Sequence, residues 1–335
     1  IKSSAASDVY KRQGTMMTLN WGIIGTGTIA NEMAAALMAH NHPAAAVTAR
    51  NQEKLAQFAD KYQIPTTYGT VAELLADDNI DAVYIATPHN THFEFIKQAF
   101  EQGKHVLAEK AITVSYEEYA IVQKLAEEKG LVLMEAMTPV HMPLFKRLRN
   151  SVENGALGQI KMINTTFGSH KPYDPTNRFF NPDLAGGALL DIGGYATQST
   201  LYFMTSAPNV VKSAMVPFET GVDEQSVTLL VNQDNEMATI TNSMQAKQPK
   251  AVTISGTKGY FRIMDFPRAD SAQWYHTETG EMETIALGNT ADALWYEIVD
   301  FEAAVDDDAI AKHFATLTET QFQVLAKIQQ EWQGA

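Results

Sequence analysis

The chain of 335 residues contains no cysteine. Disulfides, thiolate nucleophiles and sulfur-ligated metals are therefore excluded. Positive charge is also scarce: 25 Lys and Arg stand against 39 Asp and Glu, a net charge of −14. Such a field repels nucleic acids and anionic membrane surfaces, so neither is expected as a partner. No apolar run approaches the ~18 residues of a membrane span. Residues 1–16 lack the apolar segment of a signal peptide and are expected to be a disordered leader or an artefact, with the cytoplasm as default compartment. The rest is ordinary for a globular protein, 45% hydrophobic and 19% charged, and long enough to suggest two domains.

The most informative stretch begins at Asn20-Trp21-Gly22-Ile23-Ile24, an apolar strand running into Gly25-Thr26-Gly27-Thr28-Ile29-Ala30. A helical pattern follows at once, with Ala34, Leu37 and Met38 on one face. Gly25 suits a tight strand-to-helix turn, Gly27 lets the backbone approach a pyrophosphate, and Ala30 lets helix and strand sit close. The N–H groups at the helix start would then meet the phosphate charge. Gly25, Thr26, Gly27, Thr28 and Ile29 are the candidate phosphate-binding residues, the alternative being an ordinary tight turn. The end of the second strand, where an acidic residue usually marks NAD, reads Ala49-Arg50-Asn51. Arg50 offers a planar cation suited to a 2′-phosphate, so NADP is expected, with NAD left open. Arg50 could instead stack on adenine or lie in solvent.

Strand patterns at 19–24, 45–49, 81–86, 104–108 and 131–134 alternate with helical patterns at 28–39, 52–62, 70–76, 91–101 and 115–129. That order predicts an α/β fold whose N-terminal part is a doubly wound parallel sheet of the Rossmann kind. Asn51 and Ser115 read as N-caps, the latter with Glu118 in a capping box, and Gly103 and Gly130 as C-terminal caps. Past Met137-Thr138-Pro139 the rhythm changes. A helix at 141–154 precedes closely spaced strands at 159–168, 209–219, 225–232, 236–245, 251–255 and 259–265, which predict an α+β domain with a mostly antiparallel open sheet. The expected division is 17–138 for dinucleotide binding and 139–335 for substrate binding and oligomerisation, the C-terminal helices packing back on the first domain. An exposed apolar sheet face is a liability in a monomer, so a homodimer or homotetramer through that sheet is expected.

Three segments carry chemistry. Ala86-Thr87-Pro88-His89-Asn90-Thr91-His92 and Leu107-Ala108-Glu109-Lys110-Ala111 end two strands of the parallel sheet, where such sheets bind ligands. Glu109 and Lys110 could alternatively form a salt bridge on the sheet rim. Gly186 to Gln198 reads as a helix with Asp191 and Tyr195 one turn apart on one face, separated by Gly193 and Gly194. Two glycines in a helix cost about 1 kcal/mol each. They suggest close approach of a nicotinamide or substrate, or a helix crossing that needs small residues. His89, His92 and Glu94 do not converge with other ligands, and no metal is expected.

These motifs, in this order, resemble the Gfo/Idh/MocA oxidoreductases, the family of glucose–fructose oxidoreductase and inositol dehydrogenase. The resemblance extends from about Thr18 to the C-terminal helices. It is closest to the branch of dimeric dihydrodiol dehydrogenase and NADP-dependent xylose dehydrogenase, through Gly-Ala-Leu-Leu-Asp-Ile-Gly at 187–193 followed by Tyr195, Thr220-Gly221-Val222-Asp223, and Trp295-Tyr296-Glu297-Ile298. The resemblance implies Lys110 as the active-site lysine near nicotinamide and substrate, Tyr195 in the proton-transfer place, and Asp191 orienting substrate or Tyr195. It also implies Thr87, Pro88, His92, Glu109 and Lys110 around the nicotinamide ribose. Ala111 stands where the family motif has proline. Glu135-Ala-Met-Thr-Pro-Val-His141 departs from the nearest members, so that His141 and Met142 replace part of the expected substrate wall.

The implied reaction moves hydride between NADP and a sugar, polyol or trans-dihydrodiol, a small-molecule substrate. Removing hydride from a carbinol requires a base for the hydroxyl proton. A phenol is too basic to deprotonate readily at neutral pH, and a nearby ammonium favours its phenolate. Whether Tyr195 or Lys110 moves the proton stays open in the sequence. The alternatives are reduction of an imine or bilin-type substrate on the same fold, or a non-catalytic NADP-sensing regulator. Retention of Lys110, Asp191 and Tyr195 together weighs against the regulator.

Overall fold

In a computed structural model, residues 18–334 are described; the leader expected at 1–16 lies outside them. The chain divides into two compact units. The first runs to Ala136 and takes back Leu294–Thr316, and the second holds Met137–Ala293 and the residues from Leu317 onward.

In the first unit, strands and α-helices alternate up to Ala136. They are β1 (Trp21–Ile24), α1 (Thr28–Ala39), β2 (Ala46–Thr48), α2 (Gln52–Lys61), β3 (Thr66–Tyr68), α3 (Val71–Leu75), β4 (Ala82–Ile85), α4 (His92–Glu101), β5 (His105–Glu109), α5 (Tyr116–Lys129) and β6 (Leu133–Ala136). The sheet is ordered β3-β2-β1-β4-β5-β6, and every pairing in it is parallel. β1 and β4 are buried at every position, as strands covered on both faces must be. Strand order reverses between β1 and β4, which places a ligand crevice at their carboxyl ends. The helix signals act as expected: Asn51 accepts from Lys54 N at 3.0 Å, Ser115 from Glu118 N at 3.2 Å, and Gly103 and Gly130 take φ of +72° and +64°. β3 has only three residues, too few for a readable period.

The second unit begins with α6 (Thr138–His141) and α7 (Pro143–Glu153), followed by β7 (Ile160–Gly168) and, after a long loop, α8 (Gly194–Phe203). Seven strands follow: β8 (Pro208–Pro217), β9 (Asp223–Asn232), β10 (Met237–Ser243), β11 (Gln248–Gly256), β12 (Gly259–Met264), β13 (Ser271–His276) and β14 (Met282–Ala286). Their sheet is ordered β14-β13-β12-β11-β7-β10-β9-β8. Only β7 and β10 pair in parallel. One face is apolar and covered: Ile163, Thr165 and Phe167 of β7 are buried, and Thr165 Oγ1 meets Thr200 Oγ1 of α8 at 2.8 Å. The helix expected at 141–154 is two helices, because Pro143 begins a new one after Met142 takes an extended conformation.

The C-terminal elements are α9 (Ala293–Asp306) and α10 (Asp308–Gln333). Within the first unit, Glu302 accepts from Leu19 N at 3.1 Å and from Trp21 Nε1 at 3.4 Å, and Phe301 lies 5.0 Å from the Trp21 ring. Burial pushes the Glu302 carboxyl above its ordinary value, against these donors. Among the described residues no helix is long and apolar enough to cross a membrane.

Candidate functional site

The first unit offers a phosphate cradle. The chain turns between β1 and α1 at Gly25, whose φ is +112°. A Cβ there would stand 2.8 Å from the Ala86 carbonyl oxygen, so both conformation and neighbour demand glycine. Gly27 is exposed, and a Cβ added to it would meet nothing within 4 Å. No side chain caps α1 at Gly27. The leading N–H groups of Thr28, Ile29 and Ala30 thus remain for an outside acceptor, which fits a pyrophosphate. Thr26 is half-buried in the same turn and accepts from Asn31 Nδ2 at 3.2 Å through its carbonyl. Arg50 is exposed just past β2, with no hydrogen bond or ion pair to another described residue.

At the ends of β4 and β5 a braced segment carries Lys110. Thr87 Oγ1 and Thr91 Oγ1 lie 2.6 Å apart, and Thr91 Oγ1 donates to the Pro88 carbonyl at 2.6 Å, fixing the turn that exposes Pro88. The Tyr84 hydroxyl donates to Glu109 Oε1, and Lys110 N donates to Glu109 Oε2 at 3.3 Å. Ile112 N donates to Glu135 Oε2 of β6 at 2.9 Å. The Lys110–Ala111 peptide bond is cis. Lys110 itself is half-buried.

His92 lies between the Thr87 turn and the Lys110 segment. Its ring is fully buried, with Nε2 2.8 Å from the Thr87 carbonyl and Nδ1 2.9 Å from the Ala111 carbonyl. Through these contacts His92 ties the Thr87 turn to the Lys110 segment.

In the second unit the Asp191–Tyr195 segment is built from distant parts of the chain. Leu189–Gly193 forms a π-helical turn that runs directly into α8; such turns concentrate at functional sites. Every residue of α8 is buried except Tyr195. Tyr195 lies parallel to Phe167, ring centres 6.1 Å apart. Lys171 Nζ stands 3.3 Å from Asp191 Oδ2 and 3.8 Å from the centre of the Phe179 ring. The turn begins on Asp223, whose Oδ2 accepts from Leu189 N at 2.7 Å. Burial pushes the Asp223 carboxyl up to about 6 even though backbone N–H groups favour its ionised form.

The glycines beside Asp191 have protein neighbours. A Cβ on Gly193 would stand 2.9 Å from Leu189 Cδ1 and one on Gly194 2.9 Å from Met137 Cε, in each case the end of a flexible side chain. The expected substrate-wall residues His141 and Met142 are 1% and 0% exposed. His141 ends α6, which is buried along its whole length, and Met142 follows it in an extended conformation.

Comparison with known proteins agrees with this geometry. The model of an oxidoreductase family with an NAD-binding Rossmann fold matches residues 19–137, and the GFO/IDH/MocA C-terminal domain matches residues 145–262. The chain belongs to the Gfo/Idh/MocA oxidoreductase family. Within it, trans-1,2-dihydrobenzene-1,2-diol dehydrogenase of Xenopus laevis is 34% identical over 254 residues, 75% of this chain and 76% of that protein. D-xylose 1-dehydrogenase (NADP(+)) 2 of Haloferax volcanii is 32% identical over 290 residues, 85% of this chain and 89% of the relative. Among solved structures, the 3-ketoreductase KijD10 of Actinomadura kijaniata, in complex with NADP and TDP-benzene, shares the fold. Its TM-score is 0.83 at 23% identity, over 94% of this chain and 98% of that one.

Three residues that hold the candidate segments in place, Glu135, Asp223 and Lys171, carry no signal of that role in the sequence. Glu135 and Asp223 lay in motifs quoted for resemblance, without a physical role assigned to either. Lys171 gave no signal, because its partner Asp191 lies across a long loop.

Proposed function

We propose that this protein is an NADP-dependent oxidoreductase that interconverts alcohol and carbonyl on a sugar, polyol or trans-dihydrodiol. Gly25, Thr26, Gly27, Thr28 and Ile29 would hold the pyrophosphate, Arg50 the 2′-phosphate, and Thr87, Pro88, Glu109 and Lys110 the nicotinamide ribose. NADP, when bound, supplies the hydride acceptor, or the donor in the reverse direction.

The observation that carries the reading is the Asp191–Tyr195 pair: one part-exposed phenol on an otherwise buried helix, preceded by a carboxylate held in an ion pair. In oxidation the substrate C–H bond breaks with its electron pair, the C=O bond forms, and the hydroxyl proton passes to Tyr195 Oη. In reduction Tyr195 returns that proton. Asp191 offers its carboxylate to a substrate hydroxyl and fixes its direction. Lys110 supplies the positive charge that favours a phenolate over a phenol.

Lys110→Met and Tyr195→Phe are each expected to lose about 10²–10⁴-fold in turnover, while NADPH affinity, read by nucleotide fluorescence, is kept. The double variant should lose little more than the worse single one, as residues acting as a unit do. Near-normal turnover in both single variants would reject the assignment.

A homo-oligomer through the second sheet goes with this reading. Its uncovered face exposes Met162, Val227, Met237, Met264 and Met282, with Met237 directly opposite Met162 in the register. A chain that sediments as a monomer at assay concentration would remove this part.

A further inference from the structure

Positive charge is scarce in this chain, yet the second unit gathers it around Asp191 and Tyr195. Lys171 accounts for one charge, in its ion pair with Asp191. Lys250 accounts for another. It precedes Val252 and Ile254 at alternate positions of β11, both fully buried, so it stands on the covered face of the sheet. Its ammonium lies 4.9 Å from the centre of the Phe167 ring, the same ring that lies parallel to Tyr195. Lys250 is half-buried and forms no hydrogen bond or ion pair with another described residue.

The Phe167 ring meets one side of this ammonium, and no carboxylate of a described residue meets its N–H groups, which leaves them to water or to an anion. Burial is the main cause holding Lys250 below the ordinary lysine range. Lys247 and Lys171 add repulsion, and Asp265 opposes them. Nothing in the fold requires this arrangement, because a leucine or methionine would cover Phe167 at no electrostatic cost. A neutral sugar offers only hydroxyls, which Asp191 and Tyr195 already serve.

We propose that Lys250, with Lys171, forms an anion-recognition subsite beside Asp191 and Tyr195, selecting a carbohydrate that bears a carboxylate or phosphate over its neutral counterpart. The proposal rests on the oxidoreductase reading for the chemistry at Tyr195, but its charge selectivity can be measured without turnover.

The probes are glucose, glucuronate and glucose 6-phosphate, titrated calorimetrically into the full-length protein saturated with NADP, with NADPH formation followed in parallel. At least one of the two anions should bind about tenfold or more tightly than glucose, as a charge-assisted hydrogen bond provides. That preference should weaken with added salt. The better anion tells carboxylate from phosphate. Lys250→Met should reduce the anion-to-glucose ratio about tenfold, and Lys250→Arg should restore most of it. The ratio is unaffected by general damage to the fold. Equal binding of all three sugars, failure of both anions to bind, or an unchanged ratio in Lys250→Met overturns the subsite. Selective anion binding without any NADPH formation would support the subsite and count against the oxidoreductase reading.

Discussion

Gly27 in the first unit and Gly187 in the second both belong to motifs visible in the sequence, yet a methyl group added to each would meet opposite surroundings. At Gly27 it enters open space, beside a helix start that no side chain caps. At Gly187, with φ of +108°, it falls onto Asp223 Oδ1. The first glycine is kept clear for something outside the chain, and the second for a carboxylate of the chain itself. The two candidate regions, one in each unit, are made differently as a result. On the cofactor side, backbone is left open at strand ends and braced from beneath by Tyr84, His92 and Glu135. On the substrate side, Asp191 and Tyr195 depend on side chains arriving from Asp223 and Lys171.

The substrate side should therefore respond to pH through Asp223, and this is the largest effect expected. Its carboxyl is raised from 3.8 to about 6 by burial. A carboxyl that holds its proton more tightly folded than unfolded stabilises the native state below its unfolded value. That contribution is lost as pH rises through the folded value. The loss falls between about pH 4 and 6 and is on the order of 3 kcal/mol. In Asp223→Asn the amide oxygen can still accept from Leu189 N without carrying charge. Denaturant unfolding across pH 4–8 should thus show a flatter profile in this variant than in wild type. Identical slopes in that window would mean that Asp223 does not sit as a buried acid under the π-helical turn.

The same contrast explains what the sequence made legible. The parallel sheet and the cradle at Gly25 and Gly27 follow from local signals: a continuous apolar strand, a glycine pair and the immediate start of a helix. β13 and β14 were not legible because they carry little apolar alternation: only Ala272 is buried in Ser271–His276, and only Ile285 in the edge strand Met282–Ala286. On the substrate side the positions of Asp191 and Tyr195 could be read from helical spacing. What holds them could not, since Asp223 reaches Leu189 across 34 residues. Gly193 and Gly194 show the ambiguity most clearly: a ligand and a packed neighbour favour the same small residue, and Leu189 and Met137 are such neighbours.

Filling the open glycine tests the cofactor side. Gly27 has φ −75° and ψ −170°, a conformation alanine adopts freely. Gly27→Ala should leave the apo protein as stable as wild type, or more stable by about 0.4–1 kcal/mol through the unfolded chain. NADPH affinity should nonetheless fall about 10- to 100-fold, because the methyl group holds the phosphate away from one or two charge-assisted hydrogen bonds. Thermal unfolding without nucleotide and fluorescence titration with it separate the two effects. Undiminished affinity would show that the phosphates do not approach this backbone.

The smallest effect belongs to Arg50, and it sharpens the comparison because Arg50 is the one cofactor-side residue expected to act through charge alone. It is exposed and makes no ion pair with another described residue, so Arg50→Ala should leave unfolding unchanged. A guanidinium in solvent gains only about 1 kcal/mol from a single ionic partner. The ratio of kcat/KM with NADP to that with NAD should therefore fall about fivefold to tenfold. The fall should arise from weaker NADP binding, with turnover at saturation little changed, since the 2′-phosphate is remote from the transferred hydride. It should also shrink as salt is raised, as an exposed charge pair does. If the cofactor ratio stays fixed while both nucleotides weaken equally, Arg50 stacks on the adenine ring. If neither changes, it lies in solvent, and the choice of NADP is made by other residues of the β2–α2 turn.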